Sequence, residues 1–243
     1  MNRLILSKLK LRVKLFYLIF SYAHNFGFVI ATYFFLRTNA VGAKIPKMID
    51  RVSDFKYIIR LLQPNPSVLE FGSGFSTLLF SQKTKNLLVF EEFFEFLPKF
   101  ISNNGEGMIK EVEDSFYGGF KTRRFKDKSN IEGKHFDLIY IDGPQTPIVE
   151  SYAAPNIDLF DMNKSYLRST VIAIDVRFQT VIETQKYLAD SHSMFISRRF
   201  ANRLNNFENL EKSFMREFEL NGSLLKLTSL FLPKNMRFEK FAI

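Results

Sequence analysis

Apolar residues in this chain gather into short blocks, several of which close on a small or acidic residue. Residues 68–71 (VLEF) run into Gly72-Ser73-Gly74-Phe75-Ser76-Thr77, and a second apolar run follows at 78–80. Residues 87–90 (LLVF) end on Glu91, 136–141 (FDLIYI) on Asp142-Gly143-Pro144, and 171–174 (VIAI) on Asp175. Continuous apolar runs of this length predict strands buried on both faces. Other segments carry a helical period. In 47–62 the apolar positions are Met48, Ile49, Val52, Phe55, Ile58, Ile59 and Leu62, and Gln63-Pro64-Asn65-Pro66 stops that helix. Residues 92–101 (EFFEFLPKFI) predict a helix whose aromatic face joins the core, and 178–188 predict another helix. Residues 108–112 and 116–125 predict a strand and a hairpin turning at Gly118-Gly119, where a third strand of the sheet belongs. Residues 193–200 and 224–232 supply the last two strands.

The turn after the first strand carries the most chemistry. Gly72 and Gly74 lack a Cβ, so the backbone turns sharply and a ligand can approach it. Ser76 is placed to cap the following helix. About twenty residues on, Glu91 stands at the tip of the next strand. A glycine turn after one strand with an acid at the tip of the next is a pattern that holds a nucleoside, the acid accepting hydrogen bonds from ribose hydroxyls.

The third glycine of a dinucleotide site is missing, because Thr77 stands there. The run Glu70-x-Gly72-x-Gly74-x-Ser76 instead resembles motif I of the class I S-adenosylmethionine-dependent methyltransferases. The FDLIYIDG run at 136–143 is similar to the fourth strand of their small-molecule and glycan members. The resemblance covers about 48–232 and is specific at four places. It implies an α/β fold: a Rossmann-like, doubly wound, mostly parallel seven-stranded sheet with an antiparallel last strand, residues 202–220 forming a helical connection before it. It implies S-adenosylmethionine as cofactor, held by Glu70, Gly72, Ser73, Gly74, Ser76, Thr77, Glu91 and Asp142, and methyl transfer to a hydroxyl of a sugar, glycan or other small molecule.

Ligands of open α/β sheets bind at the carboxyl ends of the strands, and Gly72, Gly74, Glu91, Asp142 and Asp175 all fall there. Neighbouring strands are about 4.8 Å apart, which brings Asp142 and Asp175 near one another. Two carboxylates so placed either share a cation or raise one pKa. Two mechanisms follow: Asp142 or Asp175 as general base, or both as ligands of Mg²⁺. Catechol-type metal-dependent relatives carry an Asp-Asn pair at the second position, where this chain has Asp175-Val176. Asp114 or Asp127 is a candidate beside the adenine, or else a surface acid. His135 precedes a strand and falls at the wrong end, His192 is a spare base, and Arg177 either meets an anionic acceptor or is solvated.

Composition narrows the classes further. With 243 residues, 46% hydrophobic and 24% charged, the chain suits one large α/β domain with an extension. The absence of cysteine excludes disulfides, thiolate catalysis and cysteine-ligated metal centres. Of the net charge of +9, five positive charges (Arg3, Lys8, Lys10, Arg12, Lys14) lie in the first 14 residues, leaving +4 for the rest. That arm suits an anionic surface rather than a nucleic-acid groove. Residues 15–36 follow without a charge, long enough to span a bilayer but broken by His24-Asn25 and Gly27, so that packed or interfacial helices are the alternative. The expected layout is a basic, hydrophobic helical segment at 1–45 and a methyltransferase domain at 46–243. The expected location is cytoplasmic, with 1–37 against the cytoplasmic face of a membrane. Two other classes remain: an NAD-linked Rossmann oxidoreductase, and a non-catalytic membrane-associated protein that keeps the fold.

Overall fold

In the computed structural model the described residues are 58–59, 61–81, 83–84, 86–94, 97, 107–149, 152–175 and 177–196, with 215–217, 219–220, 223–224 and 228–236 toward the end. The chain divides into two units, Met1–Val52 and Ser53–Ile243, and every described residue lies in the second. The basic arm, the apolar run at 15–36 and most of the 47–62 helix lie outside the described residues. Among the described residues no helix is long and apolar enough to cross a membrane.

Strand β1 (Val68–Phe71) leads into helix α1 (Phe75–Ser81), and β2 (Leu87–Glu91) and β3 (Gly107–Ile109) follow. A separate hairpin, β4 (Val112–Tyr117) and β5 (Phe120–Phe125), comes before β6 (Leu138–Ile141). The short pair β7 (Ile148–Val149) and β8 (Tyr152–Ala153), then helix α2 (Lys164–Leu167), lead to β9 (Val171–Asp175) and helix α3 (Phe178–Leu188). The chain closes with β10 (His192–Ile196), β11 (Met215–Glu217), the pair β12 (Glu219–Leu220) and β13 (Ser223–Leu224), and β14 (Thr228–Pro233).

The main sheet has the order β11-β10-β14-β9-β6-β1-β2-β3. It is parallel except for β14, which runs opposite to both its neighbours. The seven expected strands are all present as a mixed, mostly parallel α/β sheet. An eighth, β11, extends the β10 edge, and it lies within the stretch 202–220 that was expected to be helical. A strand edge carries unpaired N–H and C=O groups, and pairing satisfies them.

The 178–188 helix appears at its predicted bounds because Phe178, Val181, Ile182 and Leu188 form one buried stripe. The 118–119 turn is also as expected: Gly118 and Gly119 have φ of +55° and +88°, which suits a two-residue hairpin loop between Tyr117 and Phe120. Among the described residues of 92–101, Leu97 is buried but Phe94 is 66% exposed, so that aromatic face is not all core.

The core that matters for the site lies just below the strand tips. Phe71 and Phe90 are register partners on β1 and β2, with ring centroids 5.8 Å apart. Phe125, from the end of the hairpin, stacks on Phe71 at 6.0 Å and meets Phe90 edge-on at 5.7 Å. All three are fully buried. Truncating Phe125 to Ala should therefore lower the unfolding free energy by about 3–5 kcal/mol. Urea denaturation checks this, and a loss under about 1 kcal/mol would mean that the hairpin is not anchored through this ring.

Candidate functional site

Register places the singled-out residues in one row. Val89, Glu70, Tyr140 and Ala173 are partners across β2, β1, β6 and β9. Side chains two residues apart share a face. The next row on that face is therefore Glu91, Gly72, Asp142 and Asp175, all at the carboxyl edge. The ladder extends past the strand ends: Gly72 N donates to Phe90 O at 2.8 Å, and Asp142 N to Phe71 O at 2.8 Å. Here the chain order also reverses, since β1 has β2 on one side and β6 on the other.

Gly72 holds the centre. Its φ is +85°, and a Cβ on it would come within 2.6 Å of Gly143 N. Reciprocally, a Cβ on Gly143 would meet Gly72 Cα at 2.6 Å. The turns after β1 and β6 thus touch backbone to backbone, and neither position has room for a side chain. At Gly74 a Cβ would meet nothing within 4 Å, so the space beside it is open.

Glu91 is buried and fully engaged. Its Oε2 accepts from Ser73 N at 2.6 Å and from Ser73 Oγ at 2.8 Å. Its Oε1 accepts from Glu92 N at 2.7 Å and from Phe93 N at 3.0 Å. The carboxylate therefore ties the glycine turn of β1 to the tip of β2.

Glu70 faces helix α1. Ser76 Oγ donates to Glu70 Oε1, so Ser76 is the second helical residue and not the cap that was expected. The helix start is instead closed by Thr77, whose Oγ1 accepts from Gly74 N at 2.9 Å. Burial raises the Glu70 pKa to about 8, and the charges of Asp142 and Glu91 add to the rise.

Asp142 and Asp175 stand at matching positions on adjacent strands, because Ile141 pairs with Ile174. Asp142 is partly exposed, whereas Asp175 is buried. Arg177 is not solvated. Its guanidinium donates to the main-chain oxygens of Asp142 and Pro144, the latter at 3.1 Å, and its Nη2 is 3.9 Å from Asp142 Oδ1.

Mg²⁺ does not suit this donor set. Among the described residues no group of three or more acids or histidines could hold a metal ion, and a guanidinium already stands beside Asp142. His192 is removed as a base. It begins β10 at the opposite, amino edge, it is buried, and its Nδ1 and Nε2 lie 2.8 Å from Ser191 Oγ and 2.9 Å from Thr170 O. His135, as expected, lies at that edge too, with Nε2 2.7 Å from Ser169 Oγ. Asp114 pairs with Lys121 at 2.9 Å and Asp127 with Lys110 at 2.6 Å. Each is a surface ion pair.

Three further residues shape the edge. Asn156 is fully buried; its Nδ2 donates to Gly143 O, its N donates to Thr180 Oγ1 at 2.9 Å, and its Oδ1 accepts from Asp158 N at 3.1 Å. It thereby joins the β6 turn to α3. Arg123, on the hairpin, donates to Glu92 Oε1 after β2 and to Gln145 O after β6. Gly143 was visible in the sequence only as part of its Asp-Gly-Pro run. The bonds by which Asn156 and Arg123 join separate loops carry no local signal, because those partners lie 13 to 31 residues away.

Compared with known proteins, the chain matches no family model and no curated protein sequence.

The Glu70 carboxyl yields a pH test. Its ordinary pKa is 4.5 and its folded value about 8. Between them the folded chain keeps a proton that the unfolded chain releases, so stability falls as pH rises, by up to about 1.4 kcal/mol per pH unit. Buried Asp158, raised to about 6, adds the same slope below that pH. Burial lowers the pKa of His192, which gives the opposite slope below its ordinary 6.5. From pH 6.5 to 8 the wild-type urea midpoint should fall while that of Glu70→Gln stays level. Parallel profiles would show that Glu70 is ionised in the folded chain.

Proposed function

We propose that the chain is an S-adenosylmethionine-dependent methyltransferase acting on a hydroxyl of a sugar, glycan or other small molecule. The observation that carries this reading is the sheet order. Numbering only the strands of the main sheet up to β14, and leaving out edge strand β11, the order is 3-2-1-4-5-7-6 with strand 7 reversed. The dinucleotide-binding sheet has the order 3-2-1-4-5-6. Glu70, two residues before Gly72, and the missing third glycine also favour the methyltransferase over the NAD-linked reading.

The residues suit that cofactor. The open space beside Gly74 admits a ligand against the 72–74 turn, with Ser73 and Thr77 alongside. Glu91 is the acid for the ribose. Glu70 and Ser76 are buried against each other and act by holding the turn. The cofactor, when bound, supplies an activated methyl group. The chain must then orient an acceptor hydroxyl and take its proton. Asp142 is the accessible carboxylate at the edge and takes that role, while Arg177 fixes its backbone. Asp175, 4% exposed, lies buried at the matching position of the next strand. The basic arm, with its uncharged sequel at 15–36, brings the enzyme to an anionic membrane face in the cytoplasm, where the acceptor is handled.

Calorimetry with S-adenosylhomocysteine and, separately, NAD tests the reading. Micromolar binding of S-adenosylhomocysteine is expected, with Glu91→Ala weakening it about tenfold or more. A folded wild type that binds neither ligand, or binds NAD more tightly, would sink the proposal.

A further inference from the structure

We propose that the Ser73 hydroxyl is an internal stand-in for a ribose hydroxyl, holding one acceptor position on Glu91 in the free protein and yielding it when a ligand's diol arrives. The inference rests on the reading of Glu91 as the ribose-binding acid and adds a specificity role for its neighbour.

A carboxylate offers about four acceptor positions. In Glu91 four donors use them: Glu92 N and Phe93 N on Oε1, Ser73 N and Ser73 Oγ on Oε2. Glu91 is 6% exposed, so bulk water is a poor substitute for a missing donor. A diol therefore cannot simply add to this carboxylate. It must displace a donor already there.

The four donors are not equally displaceable. Glu92 N and Phe93 N belong to the residues directly after Glu91, and their position is set by the turn itself. Ser73 N is fixed by the backbone that runs from Gly72, whose own N is bonded to Phe90 O at 2.8 Å. Ser73 Oγ alone sits on a freely staggered side-chain torsion. One rotation about χ1 moves it off Oε2 and leaves the three main-chain bonds in place. The exchange replaces one hydroxyl-to-carboxylate bond with another of the same chemistry. Little is gained from that one hydroxyl, and little is lost by a ligand without it, because Ser73 can swing back.

Two measurable consequences follow, for wild type and Ser73→Ala, with calorimetry on S-adenosylhomocysteine and its 2′-deoxy and 3′-deoxy analogues. Ser73→Ala should bind S-adenosylhomocysteine about three- to tenfold more tightly, since nothing has to be displaced. The larger of the two deoxy penalties should stay under about fivefold in wild type and reach about tenfold or more in the variant, where no side chain returns to Glu91. A melting curve confirms that the variant is folded, and the wild-type penalties give a readout that needs no variant. Weaker or unchanged binding by Ser73→Ala, a wild-type deoxy penalty above about tenfold, or equal penalties in the two proteins would each overturn the stand-in role while leaving the nucleoside site intact. No binding of any of these ligands by either protein would overturn both readings.

Discussion

Two glycines in contact organise this edge of the sheet. Gly72 and Gly143 lie on adjacent turns, and either one bearing a Cβ would drive that atom to 2.6 Å from the other's backbone. Their contact lets the turns after β1 and β6 close on each other where the chain order reverses. On one side of it stands Glu91, and on the other stand Asp142 and Arg177. The register row of Glu91, Gly72, Asp142 and Asp175 depends on that closeness, since the row continues past the ends of β1 and β6 only through the turn backbones.

The carboxylates near this contact serve different ends, and their surroundings decide which. Glu91 meets four donors, three of them main-chain N–H groups. Glu70 lies one layer deeper, where burial and two like charges push it toward the neutral form. Asp142 is partly exposed and has a guanidinium at its backbone. Three acids around one glycine turn thus have three distinct surroundings: main-chain donors, a buried hydroxyl and a partly exposed edge beside a guanidinium.

Much of the fold was legible because its strands are continuous apolar blocks. Each of 68–71, 87–90, 136–141 and 171–174 became a strand, or the core of one, ending where the polar residue predicted. The helix at 178–188 was equally plain. The capping role of Ser76 was misread because Glu70, six residues back, competes for its hydroxyl, and only the folded strand brings that carboxylate within reach. The strand at 215–217 escaped notice because an edge pairing depends on a neighbour and not on its own short pattern. The acids of the site were readable from strand-end positions. Arg123 and Asn156 were not, since each acts on loops that only folding draws near.

The hairpin of β4 and β5 has a further consequence through Arg123. This guanidinium holds Glu92 and Gln145, which lie on the loops flanking the glycine turn on either side. The hairpin is held as well by Phe125 beneath, by Thr122, whose hydroxyl donates to Pro155 O, and by Tyr117, whose ring stacks on Phe160 at 4.9 Å. One residue of this ribbon therefore links the loops that follow β2 and β6. A change at position 123 would release both loops at once while the glycine contact and the strand register keep their own bonds, so the spacing of this edge is set in part by a residue outside the main sheet.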